Sequence, residues 1–314
     1  MQVITLTLNP AIDETVTLSE LRPGHVHRAL GSQTHAGGKG VNVASCLADW
    51  GMPVTATGIL GAENAGVFEA LFAAKGIKDR FLRVPGATRT NIKLSHGGGE
   101  TTDINLPGLR TESAKVYEVL QTVQDLWMPE TLVVLAGSLP EGVAADTYAG
   151  MIGVLTKSGA RVLLDASGTA LTQALEAAVL PFAIKPNRAE LEAYCGHELP
   201  TTESLIAVAR QLLSRGVALV AISLGAEGAL FVSAEGVLLA SLPAIHAAST
   251  VGAGDAMVAG LVAARAENRN LESTACLATA FAVAKLGLAG PNLPPRETVL
   301  ALANSVKITS LGEA

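Results

Sequence analysis

Short runs of aliphatic and β-branched residues alternate along the chain with longer segments whose apolar positions recur at helical spacing. The runs "VITLTL", "PVTATGIL", "TLVVLAG", "RVLLDA", "FAIKP" and "LVAISLG" are apolar throughout, the pattern of parallel strands covered on both faces. Between them, "VNVASCLADWG", "AGVFEALFAAKG", "ADTYAGMIGVLTKSG", "ESLIAVARQLLSRG" and "DAMVAGLVAARAEN" read as helices, and four of these five close on glycine, a common stop signal. This alternation predicts an α/β fold with a doubly wound, mostly parallel sheet and helices on both faces.

Two segments break the pattern. Residues 11–29 and 86–107 are polar, partly alternating and hairpin-like, with "GGGE" as a turn signal in the second. They read either as ordinary surface hairpins or as two pieces that leave the main sheet and pair as a small β-lid. On the second reading the α/β domain comprises residues 1–10, 30–85 and 108–314.

Composition narrows the classes. Of the 314 residues, 49% are hydrophobic and 16% charged, which favours a large core over disorder. The net charge is −6 and no Lys/Arg cluster stands out, so nucleic acid is not expected as a partner. Cys46, Cys195 and Cys276 are far apart without metal-like spacing and read as buried thiols of a reducing compartment. The start lacks the basic region of a signal peptide, and the most apolar stretch, "LATAFAVAKLGLAG", is short and carries Lys285. A cytoplasmic protein with no membrane partner is the expectation.

Open α/β sheets bind ligands at the carboxyl ends of their strands. Here that edge collects Asp13, Ser138, Asp165, Lys185, Asn187, Glu190 and Ser223. Four motifs lie beside it. "AGGKGVNVA" is neither a Walker A loop nor a dinucleotide fingerprint. It is a glycine loop that exposes backbone N–H groups with Lys39 and Asn42 aimed at one ligand, which suits a hydroxyl-rich or phosphorylated small molecule. In "KPNRAELEAY", Asn187 and Glu190 are either a capping box or oxygen ligands that hold Mg²⁺ through water, and the spacing serves both. "ISLGAEGALFV" is accounted for by a β-hairpin, although its small turn residues would also admit an adenosine against the backbone.

The fourth motif is "STVGAGDAMVAG". Gly252, Ala253 and Gly254 offer successive N–H groups at the positive end of a helix starting near Asp255. An anion hole with an aspartate beside it is what phosphoryl transfer needs: donors for the transferring group and an acceptor for the attacking hydroxyl's proton. A simple N-cap would not require glycine on both sides of Ala253.

Together these stretches resemble the PfkB-type (ribokinase-like) carbohydrate kinases over nearly the whole chain. "AGGKGVNVA" and "STVGAGDAMVAG" are similar to the family's two signatures, and "KPNRAE" to its Asn-x-x-Glu motif. "TLNPAID", "TRTNIKL", "TDINLPG" and "AGSLP" resemble the phosphosugar branch, nearest to enzymes acting on fructose 1-phosphate. The resemblance implies Asp255 as general base and Gly252, Ala253 and Gly254 as the anion hole. It implies Asn187 and Glu190 for Mg²⁺, and Lys185, Asn187, Ser223, Gly225, Glu227, Gly228 and Gly254 along the nucleotide. It places Asp13, Gly38, Lys39, Asn42 and Ser138 on the sugar, with Arg89, Arg28 and Lys93 as cations for its phosphate. A homodimer through the lids is also implied. Ser249 stands where many ribokinase-like members have Asp beside a monovalent-cation site, so dependence on such a cation is left open.

The expected reaction is phosphorylation of a ketohexose phosphate by ATP with Mg²⁺, D-fructose 1-phosphate giving D-fructose 1,6-bisphosphate. Tagatose 6-phosphate and fructose 6-phosphate are the alternative acceptors. A sugar-phosphate sensor without turnover is a rival of another class, but a sensor would not need the base.

Overall fold

The computed structural model describes residues 1–97, 100–242, 252–288 and 290–312. Its main sheet has ten strands. From one edge to the other they are Lys307–Ser310, Gly236–Ser241, Ala229–Ser233, Leu219–Ser223, Ala183–Ile184, Arg161–Asp165, Leu132–Ala136, Val3–Thr7, Thr55–Gly61 and Lys78–Val84. The run from Leu219–Ser223 to Lys78–Val84 is parallel throughout, and the three strands at the other edge are added antiparallel. The six predicted strands all lie in the parallel part. Lys78–Val84 was not legible because, as an edge strand, it is only intermittently buried and carries four charged residues.

Strand residues alternate between two cores. In Leu132–Ala136, Leu132, Val134 and Ala136 face one apolar cluster, while Val133 and Leu135 face the other. The first cluster is closed by helices that include Lys39–Asp49, Gly66–Lys75, Ala253–Ala266 and Leu271–Leu286. The second is closed by Ser113–Asp125, Thr147–Lys157, Gly168–Glu176 and Thr202–Ser214. Helices Ala253–Ala266 and Leu271–Leu286 cross closely at Gly260, where a Cβ would sit 2.6 Å from the Ala278 Cα. The apolar stretch around Lys285 is therefore a core helix, and among the described residues no helix is long and apolar enough to cross a membrane.

The two irregular segments pair with each other. A separate four-stranded sheet runs in the order Gly31–Gly37, Ala11–Thr17, Thr90–His96, Glu100–Asn105. Ala11–Thr17 and Thr90–His96 are parallel neighbours with Asp13 opposite Asn91, and the outer pairs are antiparallel. One boundary moves. Gly31–Gly37, "GSQTHAG", belongs to this lid sheet rather than to the main domain. Its first four residues are exposed and polar, so no apolar alternation marked it as a strand.

Candidate active site

The helix Lys39–Asp49 supplies the first wall of the site. Gly38, its N-cap, has φ +108°, and a Cβ there would lie 2.9 Å from the Pro10 Cα. A Cβ at Gly37 would overlap the Asp13 carboxylate, and one at Gly40 would lie 2.4 Å from the Thr7 hydroxyl. The glycines of "AGGKG" thus let the loop close on the end of strand Val3–Thr7 and on the lid's first strand. That closure fixes where Lys39 and Asn42 point. Lys39 Nζ donates to Asp165 Oδ1 at 2.9 Å, and Asn42 Nδ2 donates to Asp255 Oδ2 at 2.7 Å.

Asp255 sits in the first turn of helix Ala253–Ala266 and is 7% exposed. Gly252 is that helix's N-cap at φ +81°, a left-handed turn that favours glycine, and its carbonyl accepts from Ala256 N–H at 2.9 Å. The N–H groups at positions 253–255 have no partner one turn back within the helix, so they form the positive end of its dipole. A cation stands over the same end. The Cβ that Gly254 lacks would lie 3.4 Å from Lys185 Nζ, and Lys185 pairs with Asp165 Oδ1 at 3.4 Å.

Asp165 is therefore the hub of the polar cluster. It is 1% exposed, sits at the end of strand Arg161–Asp165, and meets both Lys39 and Lys185 through Oδ1. Its Oδ2 is buried without a hydrogen-bond partner. The sequence placed Asp165 on this edge but gave it no role, because "LLDAS" matches no motif. Burial and then repulsion from Asp165 push the Asp255 carboxyl up to about 6, against the opposing pull of Asn42, Lys39 and Lys185. Lys39 is held above the usual lysine range: burial disfavours its charge, but Asp165, Asp255 and Glu190 together outweigh that cost.

Asn187 and Glu190 form a full capping box on helix Arg188–Cys195. Asn187 Oδ1 accepts from Glu190 N–H and Glu190 Oε2 from Asn187 N–H, each at 2.8 Å. The cap engages one carboxylate oxygen of Glu190, Oε2. Asn187 and Glu190 supply the oxygen donors that a hydrated divalent cation takes. Ser223 is beside them: Asn187 and Ser223 form a parallel bridge, and Ser223 N–H donates to the Pro186 carbonyl at 2.9 Å. The turn Gly225–Glu227 follows, with Gly225 and Glu227 exposed. Gly228 has a structural reason of its own, since a Cβ there would lie 2.1 Å from the Ala240 carbonyl oxygen.

The lid forms the other wall. Asp13 accepts from Asn91 Nδ2 at 3.0 Å, and burial raises its carboxyl's pKa against Asn91, Arg89, Lys93 and His35. Arg89 stands at the base of the lid, where it reaches the Pro10 and Asn9 carbonyls only at 3.4 and 3.3 Å. Burial presses its pKa down, opposed by Asp13. Those long contacts leave the guanidinium underused. Asn9 Nδ2 donates to Ser138 Oγ at 3.0 Å, which brings the end of strand Leu132–Ala136 to the same place. Lys93 is near Asp13 on the lid but pairs with Asp103 at 3.6 Å.

Arg28 is not brought in. It is exposed in the loop beyond the Thr17–Gly31 end of the hairpin, the end opposite Asp13 and the glycine loop. Ser249 lies outside the described residues, as do the first three residues of "STVGAGD". One residue was missed altogether. Lys285, noticed in the sequence only as a charge in an apolar run, is 3% exposed, and its Cε lies 3.3 Å from where a Gly252 Cβ would be. Its signal was the charge itself, placed where a core helix has little reason to carry one.

Comparison with known proteins gives the family and the fold. The model of the pfkB family carbohydrate kinases matches residues 6–298. A 1-phosphofructokinase of Xanthomonas campestris pv. campestris is 52% identical over 290 residues, covering 91% of each chain. One from Rhodobacter capsulatus is 47% identical over 314 residues, covering 99% of this chain and 98% of its own. Among solved structures, phosphofructokinase-2 from Escherichia coli in complex with substrates and products superposes with a TM-score of 0.90 at 28% identity, covering 97% of this chain and 99% of that one.

Proposed function

Because this chain belongs to the pfkB family of carbohydrate kinases, we propose that it transfers the γ-phosphoryl group of ATP to D-fructose 1-phosphate, giving D-fructose 1,6-bisphosphate and ADP. The observation that carries the reading is the buried contact between Asn42 and Asp255 at the mouth of a cation-flanked helix N-terminus.

Asp255 accepts the proton of the C6 hydroxyl as that oxygen attacks the γ-phosphorus. The new O–P bond forms as the bond to the β-phosphate oxygen breaks, and ADP leaves with the electron pair. A carboxyl raised to about 6 suits a general base, because it is largely ionised at neutral pH yet more basic than an exposed aspartate. The asparagine N–H holds one carboxylate oxygen in place, so the base needs no reorientation. Charge that builds on the transferring group meets the N–H groups at the start of helix Ala253–Ala266, with Lys185 and Lys39 beside them. Mg²⁺ would be held through water by Asn187 and Glu190 and would neutralise the donor's phosphates when bound. Lys185, Ser223 and the Gly225–Gly228 turn line the donor side.

Asp13, Lys39, Asn42 and Ser138 are assigned to the sugar and Arg89 to its existing phosphate. A phosphosugar needs a cation that a plain sugar does not, and a guanidinium with only long contacts to two carbonyls can turn to a phosphate at little cost. The lid also carries Val26, Leu30, Ile104 and Leu106 exposed, Val26 at 97%. Such exposed apolar side chains on the lid and its loops support a homodimer that joins lid to lid, and sedimentation over a range of concentrations would count the subunits.

The test is ADP release with Mg-ATP and, in turn, fructose 1-phosphate, fructose 6-phosphate, tagatose 6-phosphate and fructose. Turnover confined to fructose 1-phosphate is the expected result. Preference for a 6-phosphate would keep the role of Asp255 but reverse the sugar in the pocket. Tight binding without turnover would make the chain a sensor.

A further inference from the structure

The parallel strands have two ends, and the site described above uses only their carboxyl ends. At the opposite end lies a cavity of about 210 Å³, lined by Leu132, Ala183 and Leu219, each the first residue of its strand. Arg265 reaches this cavity from the last turn of helix Ala253–Ala266. It is ten residues beyond Asp255 on the same helix, a separation of about 15 Å along the axis. The cavity and the catalytic cluster are therefore distinct places.

A cation in the last turn of a helix is ordinary, because the dipole favours it there. A solvated head group would account for Arg265 fully if its donors reached water. Nε does not: it is buried and has no hydrogen-bond partner. The guanidinium is held beside an aromatic wall, with Cζ 5.9 Å from the centre of the Phe182 ring, and Phe182 also lines the cavity. The acids nearby are engaged elsewhere. Glu267 pairs with Arg269 and Arg296, and Glu235 Oε2 accepts from Leu271 N–H at 2.9 Å. Among the described residues Arg265 forms no ion pair. A buried donor without an acceptor costs free energy that a bound acceptor would recover.

The rest of the wall says what else the occupant needs. Leu163, Leu261 and Leu271 join the residues above, so the body of the ligand meets apolar surface. Nε and its neighbouring Nη offer parallel donors that match the two oxygens of a carboxylate. One unpaired cation calls for one negative charge, and Glu235 on the same wall disfavours a dianion such as phosphate. The volume is below the about 300–1,000 Å³ of pockets for drug-sized ligands, so the occupant is small.

We propose that this cavity is a second binding site, for a small monocarboxylate with an apolar body. The carboxylate sits on Arg265, and the body lies against Phe182 and the leucines. The inference stands apart from the kinase reading, since it needs neither nucleotide nor sugar.

Saturation-transfer NMR on the whole protein tests it with butanoate, hexanoate, benzoate and phenylacetate, each compared with the alcohol of the same skeleton. At least one acid should bind at millimolar concentration, with its alcohol weaker by about 10–100-fold, the range for a charge-assisted contact. Saturating Mg-ADP with fructose 1-phosphate should leave the acid bound. Arg265→Met keeps the stem and removes the donors, so it should weaken the acid to the level of its alcohol. Ala218 is exposed and lines the cavity, so Ala218→Leu should fill the space and weaken acid and alcohol alike. Binding of none of the four acids, or equal affinity of acid and alcohol, would overturn the inference and leave water as the occupant. So would an acid affinity unchanged in Arg265→Met, or displacement by the nucleotide and sugar, which would put the acid in the catalytic site. Should Arg265→Met not fold, the acid–alcohol comparison and Ala218→Leu decide.

Discussion

The two walls of the site are built from different material. Asp255, Asp165 and Lys185 are buried at the crest of a ten-stranded sheet, each engaged by at least one other polar side chain. Asp13, Arg89 and Lys93 stand on or beside a four-stranded sheet whose outer strand, Glu100–Asn105, is exposed along its length. Groups that must act on developing charge gain from a dry, fixed setting, because reorganising during the reaction would raise the barrier. Groups that only recognise substrate gain from access. The crest should therefore govern kcat and the lid KM, and substitutions on the two walls should fall into separate kinetic classes.

The sharpest way to break that division is at Asp255. Asp255→Asn keeps the shape and an oxygen for Asn42 to donate to, but removes the proton acceptor. The expected loss is on the order of 10²–10⁴ in kcat, with nucleotide affinity, read by calorimetry, largely kept. A variant within tenfold of the wild type would remove Asp255 from its role and leave the crest as a binding surface only.

On the lid, Arg89→Ala deletes a charge-assisted contact to the substrate's phosphate. Such contacts contribute about 1.5–3 kcal/mol, so KM for the phosphosugar should rise by about 10–100-fold with kcat changed only a few-fold. Initial-rate kinetics in both substrates separate the cases. A rise in KM for ATP instead would place Arg89 on the donor side and dissolve the distinction between the walls.

This division also explains what could be read from the chain. The parallel strands and the two glycine loops are local signals: apolar runs, helix stops, and glycine at left-handed turns such as Gly38 and Gly252. They gave the fold and the positions of Asp255, Lys39 and Asn42 before any contact was known. What stayed hidden depends on pairs far apart in the chain. Asp165 gains its importance from Lys39 and Lys185, and only the fold brings the Lys285 stem beside Gly252. The strand Gly31–Gly37 has no pattern of its own, because its neighbour supplies the pairing and solvent covers much of it. Gly228 has a structural reason that the sequence did not show, the close approach of the Ala240 carbonyl. The motif around Asn187 left a capping box and a Mg²⁺ site both open; the fold shows the capping box and brings Glu190 near Lys39.

The smallest expected effect refines the crest itself. Asn42 donates to the Asp255 carboxylate at 2.7 Å, an interaction made with the charged form that lowers its pKa against the dominant push of burial. The base must be ionised to act, so the wild-type pH profile of kcat/KM for the phosphosugar should rise through about 6 and level off above it. Asn42→Ala removes a force that holds the carboxylate ionised, so the acid limb should move to higher pH. The two enzymes should differ most below neutrality, and their ratio should narrow as pH rises past both limbs. A limb that stayed in place, with equal loss at every pH, would mean that Asn42 serves to hold the sugar rather than to tune the base. In that case an asparagine at the crest would behave like the lid, and the boundary between the walls would run through the helix Lys39–Asp49 rather than beside it.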